Sequence, residues 1–229
     1  MEKNDALYDK HIKCPVCSLE FTSKRVKKNS LKVIGRDTDL MTQYDGENPL
    51  FYLVFVCPKC GYANSEAAFE QLSYNKKKIF QDELQPIWVE KDYTQERTVM
   101  DGIDSFKLLL YCEELTKSKL FEKAGTCLKL AWLYRIAKDT EKEKEMIQMS
   151  LEMYKTSYSS EDYTNTAIND ITVAYLIAEL SYRMGDIDTA VKWMSSLMVN
   201  KNLRDQPQIQ QLARDQWEKI KAERAGESQ

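Results

Sequence analysis

Histidine and glycine are scarce in this chain, and their scarcity excludes several classes of enzyme site. Among 229 residues there is a single histidine, His11, and there are seven glycines, none of which forms a glycine-rich turn opening a helix. A Cys–His pair needs a histidine beside the nucleophile, and a phosphate-binding loop needs clustered glycines. Because neither a base, a nucleophile nor a phosphate loop can be assigned, we expect that the protein is not an enzyme.

Long apolar runs are also absent. No uncharged apolar stretch reaches the roughly 18 residues that a membrane-spanning helix requires. The sequence Met1-Glu2-Lys3-Asn4-Asp5 lacks the apolar segment of a secretory signal. We therefore expect a soluble, cytoplasmic protein that does not associate with a membrane.

Cysteine, by contrast, occurs in a specific pattern. Two Cys-Pro-x-Cys turns, at residues 14–17 and 57–60, are separated by 39 residues. Each turn places two thiolates two residues apart, and four such sulfurs form a tetrahedral site that suits zinc. The predicted metal ligands are Cys14, Cys17, Cys57 and Cys60. Because four cysteines complete the shell, we expect His11 to lie on the surface or behind the ligands.

The predicted ion is a single structural zinc. Four thiolates leave no open position for water, which a catalytic zinc needs. The same ligands also suit iron in a rubredoxin-like electron-transfer site, and this alternative stays open. The remaining cysteines, Cys112 and Cys127, fall on apolar helical stripes, and we expect both to be buried reduced thiols.

The sequence around the cysteines predicts a zinc-ribbon-like module. Strands are expected at 31–34 and 50–56, joined by a polar loop, after a short leader over residues 1–12. The second strand is apolar at every position, which indicates that both of its faces are covered and that the module docks on the rest of the chain. A helix is expected over 63–72, leaving the second cysteine turn.

Positive charge is concentrated near the N-terminus. The net charge is −3, but residues 1–36 contain nine Lys and Arg and four Asp and Glu. The densest cluster comprises Lys24, Arg25, Lys27 and Lys28. Such a run is usually a solvated face, and it also permits contact with the phosphates of a nucleic acid.

From about residue 98 the apolar residues follow a helical period and predict six helices in antiparallel hairpins. Asp186 is expected to cap a helix and Pro207 to lie near a helix start. A tetratricopeptide-like spacing of small and bulky residues is carried by Ala178, Gly185, Ala190 and Met194. An ordinary helical bundle is the alternative.

Together these patterns predict an α+β protein with three parts. Residues 1–75 form the zinc-ribbon-like domain with its exit helix, and residues 98–229 form the tetratricopeptide-like domain. Residues 76–97 are the segment that connects the two domains.

As a whole, the chain resembles a mainly bacterial family known as domain of unknown function 2225. The matching residues are Cys14-Pro15-Val16-Cys17, Arg36-Asp37-x-Asp39, Tyr44, Asn48-Pro49-Leu50-Phe51-Tyr52, Cys57-Pro58-Lys59-Cys60-Gly61-Tyr62-Ala63 and Leu130-Ala131-Trp132-Leu133-Tyr134-Arg135. The resemblance implies a zinc-ribbon-like module followed by a tetratricopeptide-like tail. It implies no activity. For the loop residues Arg36, Asp37, Asp39, Asn48 and Tyr52, we expect a role in bracing the ribbon ahead of a surface role.

Besides electron transfer at an iron site, two functions remain open at this level. The first is an interaction scaffold that binds a protein or peptide on its helical domain. The second is a nucleic-acid-binding ribbon that uses Lys24, Arg25, Lys27 and Lys28. The oligomeric state is not predicted.

Overall fold

The computed structural model describes residues 5–164, 166 and 168–227, with side chains described as far as residue 224. Three antiparallel strand pairs are followed by helices, so the predicted α+β class is confirmed. The strands are β1 (Leu7–Lys13), β2 (Glu20–Val26), β3 (Lys32–Arg36), β4 (Thr42–Asp45), β5 (Val54–Val56) and β6 (Ala63–Ser65). The helices are α1 (Tyr74–Ile79), α2 (Val99–Leu115), α3 (Leu120–Ile136), α4 (Thr140–Ser160), α5 (Asp170–Arg183), α6 (Ile187–Met198) and α7 (Pro207–Glu227).

The first strand pair corrects the prediction of a loose leader over residues 1–12. β1 and β2 pair along seven residues, from Leu7 opposite Val26 to Lys13 opposite Glu20. The buried hydrophobic side chains of β1 are Leu7 and Ile12. Because these positions are five apart, they do not follow the two-residue alternation that identifies a strand in sequence.

The apolar run at 50–56 contains a shorter strand than predicted. Only Val54–Val56 forms β5, whereas Pro49–Tyr52 is a 3-10 turn. The Asn48 side chain caps this turn by accepting the Leu50 N–H at 3.0 Å. Proline has a fixed φ and no N–H to donate, so the Asn-Pro pair starts a turn rather than a strand.

The predicted helix over 63–72 is wrong. Residues Ala63–Ser65 form β6, which pairs with β5, and the first helix begins only at Tyr74 after a cap by Ser73. β5 needs a hydrogen-bonding partner beyond the second cysteine turn, and this tertiary pairing overrides the helical propensity of an alanine-rich segment.

The six predicted C-terminal helices are confirmed as α2 to α7. α3 packs against α4 and α5 against α6, each pair joined by a short connection. Asp186 caps α6 by accepting the Thr189 N–H at 3.0 Å, and Pro207 is the first residue of α7. Among the described helices, none is both long and apolar enough to cross a bilayer. The tetratricopeptide-like assignment stays a prediction.

The strand module shares its core with the helices. All three residues of β5 are buried, and Phe106 and Leu109 of α2 belong to the same apolar cluster. The prediction that the module is docked is therefore confirmed. A second apolar cluster is formed by side chains from the successive helices α3 to α7. The division of the chain at 1–75, 76–97 and 98–229 stays a prediction.

Candidate metal centre

The first cysteine pair lies in the turn between β1 and β2. The Ser18 N–H donates to the Cys14 carbonyl at 2.9 Å, and the Cys14 N–H donates to the Leu19 carbonyl at the same distance. Ser18 takes a left-handed conformation, with φ of 64°. These bonds hold the turn so that the side chains of Cys14 and Cys17 point to one side.

The second cysteine pair repeats this geometry between β5 and β6. The Gly61 N–H donates to the Cys57 carbonyl and the Cys57 N–H to the Tyr62 carbonyl, both at 2.9 Å. Gly61 occupies the place of Ser18 and has φ of 74°. Trp88 closes this turn, because its indole N–H donates to the Pro58 carbonyl at 2.7 Å.

The two turns bring all four predicted sulfurs together. The Sγ atoms of Cys14 and Cys60 lie 3.6 Å apart and those of Cys17 and Cys57 lie 3.5 Å apart. All four lie within 4.8 Å of one another. Sulfurs bound tetrahedrally at about 2.3 Å from zinc are about 3.8 Å apart, so the four residues fit a metal ion. None of the six cysteines forms a disulfide, and Cys112 and Cys127 are free thiols, as predicted.

The sulfurs perturb one another strongly. Hydrogen bonds from Cys57 and Cys60 lower the pKa of Cys14, against the effect of burial. The hydrogen bond to Cys14 in turn raises the pKa of Cys60. The first of the four thiols should therefore lose its proton readily, and the others should lose theirs with difficulty. A bound cation stabilises the form in which all four are deprotonated.

The remaining predicted residues lie outside this cluster. His11 is exposed on β1, where it pairs with Thr22, and is not among the clustered ligands. Cys112 and Cys127 are buried, and burial raises the pKa of each thiol to about 12. Both behave as small apolar side chains, as predicted.

The basic cluster near the ribbon is partly engaged within the chain. Lys24 pairs with Asp9 at 2.8 Å, and Arg25 pairs with Glu66 while donating to the Tyr52 carbonyl. Lys27 and Lys28 form no ion pair with the described residues. Contact of this cluster with nucleic acid stays a prediction.

A second group of polar side chains joins the loop after β3 to the helices. We call residues 36–41 the acidic loop. Arg135 of α3 donates to Asp37 at 2.9 Å and to Asp39 at 2.7 Å. Arg183 of α5 also binds Asp37. These contacts place the acidic loop against the first helices of two successive hairpins.

Further hydrogen bonds fix the same loop. Tyr175 donates to the Thr38 carbonyl at 2.6 Å, and the Thr38 hydroxyl donates to Glu179 at 2.5 Å. Arg36 donates to Gln208 of α7 at 3.2 Å. The acidic loop thus reaches α3, α5 and α7, and we call the surface formed by these helices the α3–α5–α7 face.

This geometry supports the bracing role expected for the loop residues. Tyr52 is buried, and its hydroxyl accepts the Arg97 N–H at 3.1 Å. Burial raises the pKa of Tyr52 to about 12. The pKa of Asp37 lies below its ordinary value: burial acts to raise it, but Arg183, the Thr38 N–H and Arg135 outweigh burial.

Sequence reasoning missed the partners of these residues. Arg135 and Arg183 sit within helical stripes, and nothing local distinguishes them from solvated arginines. Arg97 was also missed: its guanidinium is buried and donates to the carbonyls of Phe51 and Val54 at 3.0 and 2.8 Å. The one local signal is the pair Asp37 and Asp39, because carboxylates that become buried need basic partners.

Comparison with known proteins supplies relatives without an assigned activity. Residues 7–220 match the family described as uncharacterized protein conserved in bacteria (DUF2225). An uncharacterized protein of Borreliella burgdorferi is 28% identical over 162 residues. The match covers 63% of this chain and 57% of that protein, so it spans little more than half of the relative's length. No solved structure matches the chain.

Proposed function

Because the chain belongs to the family of uncharacterized bacterial proteins DUF2225, for which no activity is assigned, we propose its function from its geometry: a non-enzymatic, cytoplasmic scaffold with one structural zinc, which binds a protein or peptide on its helical domain. The carrying observation is the way in which Arg135 and Arg183 bind the carboxylates of the acidic loop.

The four cysteines support a structural ion. Three of them are buried, and the four sulfurs lie within 4.8 Å of one another, close enough to surround one ion. A closed shell leaves no position for water or substrate. The strand pairs are short, and a metal ion supplies binding free energy that such a small module lacks. Zinc is proposed over iron because no redox partner is indicated.

The identity of the metal is tested by elemental analysis of the native protein, purified without chelator or oxidant. One equivalent of zinc supports the proposal. One equivalent of iron, with the absorption of a ferric thiolate site, would instead favour the electron-transfer alternative. Less than one equivalent of the two metals together contradicts the metal site itself.

The α3–α5–α7 face supports the partner proposal. It binds the carboxylates of an acidic turn through two arginines, and arginine forms strong charge-assisted hydrogen bonds with carboxylates. The acidic loop occupies this face within the same chain. We therefore propose a partner that carries a short Asp-containing segment and that competes with the acidic loop or extends beside it.

A peptide competition experiment tests this surface. The probe is a labelled peptide with the sequence of residues 35–42, and the targets are the wild-type protein and Asp37→Asn, whose own loop is held less tightly. We expect tighter binding to the variant, because competition within the chain is weakened. The matched control is the same peptide with asparagine in place of both aspartates.

A natural partner that binds the α3–α5–α7 face must also be identified. Crosslinking in native cells is expected to recover acidic peptides joined to α3, α5 or α7. If the labelled peptide binds neither protein and the recovered crosslinks lie elsewhere, the acidic loop is a structural brace only and this binding surface is wrong. Circular dichroism and metal content verify that the variant is folded.

A further inference from the structure

A cleft of about 960 Å³ separates the strand module from the helices, and neither the four clustered cysteines nor the acidic loop line it. Its walls come from β5, β6 and the segment after β6 on one side, and from α2, α3 and α4 on the other. Apolar side chains that line it include Leu72, Phe106, Leu109 and Phe121. The volume is that of a site for a small molecule.

Three polar groups in this cleft have unused hydrogen-bonding capacity toward the described residues. The Oε2 atom of Glu113 is buried and forms no hydrogen bond with the described residues. Its other oxygen accepts the Thr126 hydroxyl at 3.0 Å. Glu113 and Lys129 form no ion pair within the described part of the chain, and the Lys129 ammonium donates only to the Gly125 carbonyl, at 3.2 Å.

The third group is the hydroxyl of Tyr154. Tyr154 is 1% exposed and lines the cleft, yet its hydroxyl makes no hydrogen bond with described residues. Gly125 leaves room between these groups: a Cβ added there would lie 3.5 Å from the Tyr154 hydroxyl and 3.6 Å from the Lys129 ammonium. The space above Gly125 is thus bordered by two donors.

Burial makes the charges of this cleft unfavourable without a ligand. It raises the pKa of Glu113 to about 7 and lowers the pKa of Lys129. An unsatisfied buried polar group costs free energy that a hydrogen-bonding ligand recovers.

We infer that the cleft binds a small molecule with an apolar body and a carboxamide head group, whose N–H donates to Glu113 and whose carbonyl accepts from Lys129 and Tyr154. A carboxamide carries an N–H donor beside a carbonyl acceptor. The N–H matches the acceptor Glu113, and the carbonyl matches the donors Lys129 and Tyr154. At pH 8, where Glu113 is ionised, a carboxylate places a second negative charge against Glu113, and an ammonium places a positive charge against Lys129. This inference is independent of the proposed scaffold function.

Calorimetric titration of the metal-loaded full-length protein tests the inference. The probes are three compounds that share a phenylbutyl body and end in a carboxamide, a carboxylate or an ammonium group. We expect the carboxamide to bind at least about tenfold more tightly than the other two at pH 8, since the carboxylate lacks the hydrogen bond to Glu113 and the ammonium lacks those from Lys129 and Tyr154.

Two variants locate the binding. Gly125→Ala puts a methyl group where the head group lies and is compatible with a helix, so the carboxamide should lose binding while the fold is kept. Tyr154→Phe removes a hydroxyl that has no described partner and should weaken binding several-fold. Lys144→Ala, on the exposed side of α4, is the control and should bind as wild type. Any other ranking of the probes, no binding, or full binding by a folded Gly125→Ala variant overturns the inference.

Discussion

Arg135 of α3 donates to the carboxylate of Asp39 at 2.7 Å, and the side chain of Asp39 is completely buried. The same guanidinium binds Asp37 and Glu143, at 2.9 and 2.7 Å. A buried carboxylate is tolerated only when paired, so this contact ties the loop of the strand module to the helical part of the chain.

Removal of one charge from this pair should destabilise the protein. Asp39→Asn keeps the shape of the side chain but leaves Arg135 without its most buried partner, and we expect a loss of about 2–4 kcal/mol in the free energy of unfolding. Urea denaturation measures it. The control is Asp45→Asn in the same hairpin, where the carboxylate is exposed and lies 3.9 Å from Lys32. That change should cost less than about 0.5 kcal/mol. Equal effects of the two variants would contradict the pairing argument.

The cysteine cluster is the part of this molecule that sequence predicts best. The spacing of Cys14, Cys17, Cys57 and Cys60 depends only on local turn chemistry, and two turns of the same kind need only be brought together. The helices after residue 98 were also predictable, because their apolar period is long and regular. Both predictions rest on repeated local signals.

The errors have a different origin. β1 was missed because its buried residues break the strand period, and β6 was mistaken for a helix because its pairing with β5 is a tertiary effect. The contacts of Arg97, Arg135 and Arg183 join residues distant in sequence, and one sequence contains no information on which arginine meets which acid. Long-range polar pairing is therefore what the structure adds.

Loss of one metal ligand should destabilise the strand module. Cys57→Ser replaces a thiolate that is 0% exposed and should lower the metal content well below one equivalent. Structural zinc provides binding free energy on the order of 10 kcal/mol in small modules, so strand content should fall as well. Metal analysis and circular dichroism measure both effects.

A matched control separates metal loss from simple loss of a buried sulfur. Cys112→Ala removes a buried thiol on α2 that lies outside the ligand cluster. It should keep full metal content. If both variants lose metal to the same extent, the cluster is not the site at which the ion is held.

Gly61 should tolerate no larger residue. A Cβ at this position would lie 2.5 Å from Cε3 of Trp88, and the backbone has φ of 74°. Gly61→Ala should therefore combine backbone strain with displacement of Trp88, at a cost of about 2–4 kcal/mol, and should weaken metal binding. Thermal denaturation and competition with a chelator measure the two effects.

Gly46 provides the control for the backbone strain that a positive φ causes in an alanine. It also has positive φ, at 90°, but a Cβ there meets nothing within 4 Å. Gly46→Ala should thus cost only the strain of about 1 kcal/mol and should leave metal affinity unchanged. A larger loss for Gly46→Ala than for Gly61→Ala would show that the contact with Trp88 has no energetic weight.

Glu113 should make the stability of the protein depend on pH. Burial raises its pKa from the ordinary value of 4.5 to about 7, so between these values the folded state holds a proton that the unfolded state has released. The stabilisation is full below the lower value and is lost as pH rises through the upper one. Glu113→Gln removes this titration. The unfolding free energy of the wild type should therefore fall relative to the variant by about 1–3 kcal/mol between about pH 5 and pH 8.

Urea denaturation at both pH values measures the difference, with Gln148→Ala as an exposed, uncharged control that should follow the wild type. If wild type and Glu113→Gln have the same pH dependence, the Glu113 carboxyl is better solvated than its burial implies, because only a desolvated carboxyl retains its proton in this range.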